Sequence, residues 1–167
     1  MKDRLLLVAV VIPILGLLAL IGRAEFKLID GRPWMLRIHG YDPRDLISGH
    51  YLRFAYELDW EGSTCGETAA GFGENQLAEG CCLCFSEQSW SPYPGVRQLA
   101  CDQVDGCLSW TRSRDLAPPQ RYFIPEDRGT ELEEALRTRE AALRVTISDD
   151  GTLAIDRLYL DGEPWRP

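Results

Sequence analysis

The chain has 167 residues, with 18 Lys and Arg against 26 Asp and Glu and a formal net charge of −8, enough length for one domain and an appendage. Residues 24–167 alone carry 15 Lys and Arg against 25 Asp and Glu, a net −10. That field repels phosphate backbones and anionic headgroups, and the arginines are scattered among acids, which argues against nucleic acid as a partner.

Leu5 to Gly22, LLLVAVVIPILGLLALIG, is uninterrupted by charge. Eighteen helical residues span roughly 27 Å, close to the thickness of a bilayer's hydrocarbon region. Lys2 and Arg4 precede the run, so the positive-inside tendency places the N-terminus in the cytoplasm and the rest of the chain across the membrane. Cleavable signal peptides have apolar regions of about 7–15 residues and a small-residue cut site, and Gly22-Arg23-Ala24 is a poor one. Residues 1–24 are therefore expected to stay as a single-pass anchor or uncleaved signal, ahead of an extracytoplasmic, β-rich domain over 25–167.

Asp30-Gly31-Arg32-Pro33 is turn chemistry. Trp34 to Gly40 then alternates weakly as a first strand, with Trp34, Met35 or Leu36, and Ile38 competing for its inward face. A charged, Pro-containing turn from Asp42 leads through Ser48 and Gly49 into Tyr51 to Leu58. There Leu52, Phe54, Tyr56 and Leu58 share one face of a half-buried strand. Residues 61–80 read as a surface loop and open a Cys-rich insertion over 61–115. Gly80 to Phe85, GCCLCF, is a short strand with Cys82 and Cys84 on one face and Cys81 and Leu83 on the other. Asp105-Gly106 suits a type I′ turn joining strands near Arg97–Ala100 and Cys107–Thr111.

Arg121 to Ile124 is a strand stopped by Pro125. The one soluble helix follows, with Thr130 and Glu133 as a capping box and Leu132, Ala135, Leu136 and Leu143 as its apolar stripe. Leu143–Ser148 and Thr152–Leu160 flank Asp149-Asp150-Gly151 in the strongest hairpin signal of the chain. The expected fold is mainly β (α+β), a small twisted antiparallel sheet or open barrel of about six to eight strands with one packed helix, preceded by a single transmembrane helix.

The segment GHYLRFAY at residues 49–56 resembles the signature of the GDYXXLXY family of membrane-anchored bacterial proteins. Gly49, Tyr51 and Tyr56 match it, whereas His50 stands at the family's Asp and Phe54 at its Leu. RYFIPEDRGTELEEAL and RVTISDDGTLAIDRLYLDG also resemble that family's C-terminal half. The resemblance implies no biochemical activity. It implies a membrane-embedded, polytopic partner, because members tend to be encoded beside such proteins.

Six cysteines, Cys65, Cys81, Cys82, Cys84, Cys101 and Cys107, fall in the middle third. An even count in a loop-rich region that leaves the cytoplasm reads as disulfides. The flanks of the Asp105-Gly106 turn make Cys101–Cys107 the favoured single pairing. A thiolate metal site lacks the paired C-x-x-C spacing and a nearby His. Arg44, Asp45, His50, Tyr51 and Arg53 crowd around one turn and strand. Either they form a polar pocket for a small acid or peptide end, with an arginine as anion clamp, or they satisfy the turn while Tyr56 packs inward with its hydroxyl bonded at the edge. The second arrangement is favoured. No G-x-S-x-G, phosphate loop or nucleotide fingerprint is present, and Ser48 and His50 are too far apart along a strand to act together. The sequence therefore predicts an envelope interaction module with no enzyme activity, cofactor or metal, and a small-ligand module at the turn 42–53 as the alternative.

Overall fold

Strand β1 (Arg32–Gly40) lies in the middle of the first sheet, and its register settles which face turns inward: Trp34, Leu36 and Ile38 are buried, Met35 and Arg37 half-buried. The computed structural model describes residues 2–40, 47–48, 51–65 and 77–166; side chains are described for these except 2–8, 24–29, 47–48 and 126. Helix α1 (Lys2–Asp30) runs past residue 24 almost to β1, with only Gly31 between. Among the described residues no helix is long and apolar enough to cross a membrane; the described side chains within α1's apolar run cover 9–23.

Beyond β1 come β2 (Ile47–Ser48) and the signature strand β3 (Tyr51–Glu57). Next are β4 (Asp59–Ser63), β5 (Cys81–Ser86), β6 (Gly95–Ala100), β7 (Ser109–Arg112) and β8 (Gln120–Phe123). Helix α2 (Gly129–Thr138), β9 (Ala141–Ile147), β10 (Leu153–Leu160) and β11 (Glu163–Pro164) close the chain. The first sheet is antiparallel, in the order β11-β10-β9-β1-β3, with both β2 and β8 against β3. Phe54 pairs with Gly40 of β1 and Gln120 of β8, and Leu52 with Ile47 and Tyr122. A strand residue has one neighbour on each side, so β1 and β2 share one flank of β3 and β8 takes the other.

The chain changes sheet at Leu58. β4 enters a second sheet, β4-β6-β5-β7, in which β4 and β6 run parallel. The described residues thus form eleven strands in two layers, more than the single sheet of six to eight expected. The reason lies in β5, where five successive residues are buried, as a strand covered on both faces requires. Leu83 and Phe85 point into the main core with Trp34, Phe54, Leu143 and Val145, while Cys82 and Cys84 pack outward with Leu99 and Trp110. The two faces divide as the alternation of GCCLCF predicts.

That outer face is closed by the bridges Cys82–Cys101 and Cys84–Cys107, and Cys81, on the opposite face, is bridged to Cys65; the Cα separations are 5.0, 5.4 and 5.9 Å. The Cys101–Cys107 pairing is overturned. Strands β6 and β7 do not form a hairpin; they take the two edges of β5, and Asp105-Gly106 lies in the short 3-10 turn Val104–Gly106 between them. Each of the two cysteines is carried to a different residue of β5.

The hairpin β9–β10 is present as expected, with a bulge at Asp156. Gly151 in its turn has φ +78 and lies against the Trp110 ring of β7, and Thr111 Oγ1 donates to its carbonyl at 2.8 Å, stitching the two sheets together. Helix α2 buries Leu132 and packs Ala135 and Leu136 on the core, but two details differ. The 3-10 turn Glu126–Arg128 after Pro125 runs straight into the helix, so Arg128 takes the N-cap position and Thr130 falls inside, without a capping box. Glu133 instead bonds Arg137 at 2.6 Å. Leu143 belongs to β9, not to the helix stripe.

Non-reducing peptide mapping of the native chain checks this wiring. The expected products are the 65–81, 82–101 and 84–107 cross-linked peptides and no titratable thiol; a 101–107 peptide would contradict the sheet order.

Candidate functional site

Of the residues flagged around the turn, Arg44, Asp45 and His50, with Gly49 of the signature, lie outside the described residues. Tyr51 and Arg53 sit on β3, half-buried and directly beside β8. The Tyr51 ring meets Phe123 edge-on at 6.2 Å between centroids, and the Arg121 guanidinium lies 4.9 Å above it. Arg53 is likewise engaged with other groups. These side chains form a ladder across β3 and β8, and Phe123 at its end is 77 % exposed. Among the described residues no strand pairs with the outer edge of β8.

A second constellation was not legible in the sequence, because three distant segments build it. Arg37 of β1 pairs with Asp59 at the start of β4 and lies 4.9 Å from the centroid of the Tyr93 ring. Tyr93 donates to Glu140 Oε1 at 2.8 Å. Burial first, and then the Glu140 carboxylate, pushes the Tyr93 phenol up to about 12. Glu61 of β4 accepts from Ser86 Oγ at 3.0 Å and from Gln88 Nε2 at 3.4 Å. Gly95 makes that possible: a Cβ there would lie 2.0 Å from Glu61 Oε1 and 2.6 Å from Gln88 Nε2. Arg37, Asp59, Glu61, Gln88 and Tyr93, together with Trp60 and Trp90, line a cleft of about 740 Å³. The only sequence trace of it is the run SWSPYPG, whose two prolines stiffen a turn that presents Trp90 and Tyr93.

Among the described residues no group of three His, Cys, Asp or Glu could hold a metal ion, and all six sulfurs are committed to bridges.

The family model described as "GDYXXLXY protein" matches residues 13–158. The chain belongs to the GDYXXLXY family. No curated protein and no solved structure matches it. The family match runs through the bridged middle of the chain as well as through the signature strand and the closing hairpin.

Within the GDYXXLXY signature, Phe54 is fully buried and stacks edge-on against Tyr56, 5.2 Å between centroids. Tyr56 does not bond its hydroxyl at the sheet edge, as the sequence suggests. Its ring is half-buried, yet the hydroxyl is sealed and has no hydrogen-bond partner among the described residues. Burial raises its pKa well above that of an ordinary phenol. The neutral form is the one the fold favours, so the stability it contributes is complete below the ordinary value of about 10 and is lost as pH rises through the folded pKa. In an alkaline ultraviolet titration, Tyr56→Phe is expected to remove no phenolate absorbance below about pH 11. Loss of a phenol titrating near 10 would place the hydroxyl in water.

Proposed function

We propose that this GDYXXLXY protein is a membrane-tethered envelope domain, anchored by residues 1–24 with 25–167 on the extracytoplasmic side, that works as a protein-interaction module and not as an enzyme. One observation carries the reading. From Val10 to Ile21, nine large apolar side chains of α1 are 40–66 % exposed, and none of α1's described side chains belongs to either core. A helix with an apolar surface all round belongs in lipid. At about 1.5 Å per residue its 29 residues reach roughly 44 Å, longer than a hydrocarbon core. The three disulfides suit the oxidising side of a membrane.

The junction with the domain is short. Gly31 lies so close to β9 that a Cβ would be 2.5 Å from Thr146 Cγ2 and 2.9 Å from the Ile147 carbonyl oxygen, so α1 passes directly into the sheet. A domain held this closely sits at the membrane surface, within reach of an integral membrane partner. The edge of β8, with Phe123 and Tyr51 beside it, offers that partner a strand to pair with. The small-ligand alternative at the turn 42–53 has Tyr51 and Arg53 as its described members, and both are already engaged in the sheet.

The test is a photo-cross-linking residue at Phe123 of the full chain, activated in native membranes that are then washed with alkaline carbonate. The expected result is a chain retained in the membrane pellet and cross-linked to an integral membrane protein. Release into the wash, or cross-links to soluble proteins alone, would refute the reading.

A further inference from the structure

The cleft around Trp60 is one of three that share walls. Leu58 and Trp60 also line a depression of about 560 Å³ beside Tyr56. Pro92 and Tyr93 also line one of about 540 Å³ beside Trp34 and Tyr159. Leu58 and Trp60 are thus the wall between the first cleft and the second, and Pro92 and Tyr93 the wall between the first and the third.

Five described side-chain atoms are sealed from solvent without a hydrogen bond: Trp34 Nε1, Arg37 Nε, Tyr56 OH, Gln88 Oε1 and Arg128 Nε. Arg128 Nε has an ion-pair partner in Glu131 at 3.1 Å. Of the other four, Arg37 and Gln88 line the cleft at Trp60, whereas Trp34 and Tyr56 turn to the core face of the first sheet. An unsatisfied buried polar atom costs about 1–3 kcal/mol, so the two in that cleft require an explanation. Arg37 and Gln88 are only half-buried, and side-chain rotations of the size common on binding would turn their polar atoms to the cleft.

The orphans specify the ligand. Arg37 Nε needs an acceptor and Gln88 Oε1 needs a donor. A simple cation supplies no acceptor, and a simple anion no donor. The Arg37 charge is already matched by Asp59, and the Glu61 carboxylate is held by Ser86 and Gln88, so no cation stands free there to draw an anion. Hydroxyl groups both give and accept. The faces of pyranose rings carry C–H bonds that pack on the electron-rich faces of Trp60 and Tyr93, and the fully exposed edge of the groove carries Trp90 at 77 % exposure.

We propose that the cleft at Trp60 is a binding groove for a neutral oligosaccharide, with Trp60 and Tyr93 as stacking platforms and Arg37 and Gln88 as hydrogen-bonding partners of its hydroxyls. The proposal rests on the groove alone and is independent of the anchor and of the β8 edge.

The experiment uses the full chain in phosphocholine-headed lysolipid micelles, because sugar-headed detergents would compete. Tetrasaccharides of 1,4-linked glucose and of 1,4-linked N-acetylglucosamine, and a proline-rich decapeptide as the competing class, are titrated by calorimetry and tryptophan fluorescence. At least one tetrasaccharide is expected to bind saturably with a shift in tryptophan emission. Trp60→Ala and Gln88→Leu should each weaken it at least tenfold with the disulfide map unchanged, Gln88→Leu also with the melting temperature unchanged, and Phe123→Ala should leave it as it was. Gly95→Ala serves as a second probe, since its methyl displaces Glu61 and Gln88. No binding by either saccharide, binding by the peptide only, or binding indifferent to all three groove variants would overturn the proposal.

Discussion

Three cysteines on a single short strand govern how the rest of the domain is arranged. Cys81, Cys82 and Cys84 each end a bridge whose other end lies outside β5, at Cys65, Cys101 and Cys107. The inner face of β5 is held by the main core through Leu83 and Phe85. Its outer face has only a small cluster around Leu99 and Trp110, too little apolar surface to hold the flanking segments by burial alone. The Cys82–Cys101 and Cys84–Cys107 cross-links replace that missing layer by restricting the unfolded chain, each contributing on the order of 2–4 kcal/mol. With β5 fixed, β6 and β7 take its edges, β4 follows on β6, and the turn 87–94 is held over Arg37 and Glu61.

Residues whose partners are near in sequence, or whose alternation is strict, announced their structure. The β9–β10 hairpin, the two faces of GCCLCF, the short strand before Pro125 and the inward Leu52 and Phe54 of the signature strand could all be read from period and turn chemistry. Asp105-Gly106 misled, because a dipeptide suited to a hairpin turn also fits a 3-10 turn, and the burial of β5 on both faces decided between them. Thr130 misled because the 3-10 turn after Pro125 runs directly into the helix, which moves the N-cap position back to Arg128 and leaves Thr130 inside the first turn. The second sheet was illegible because its one parallel pairing, β4 with β6, joins residues more than thirty positions apart, with no local pattern to mark it. The groove is hidden for the same reason. Arg37, Trp60, Gln88 and Tyr93 acquire a joint meaning only after the chain changes sheet at Leu58.

The functional features sit on separate parts of this frame. The apolar helix leads through Gly31 into β1, the edge of β8 is unpaired among the described residues, and the aromatic cleft runs between β1, β4 and the turn before β6. Phe123 and Trp90 are both 77 % exposed, a costly use of large apolar side chains in a surface otherwise rich in acid. One belongs to the strand edge and the other to the groove, so a partner protein and a ligand could be engaged without competing for the same residues.

Amide hydrogen exchange on the oxidised and the reduced chain addresses the bridged strand most directly. The account predicts that β5 amides are among the slowest to exchange while the cystines are intact, and that reduction accelerates β5, β6 and β7 while β1 and β9 keep their protection. Exchange in β5 as fast as in the edge strand β4, or unchanged by reduction, would contradict it.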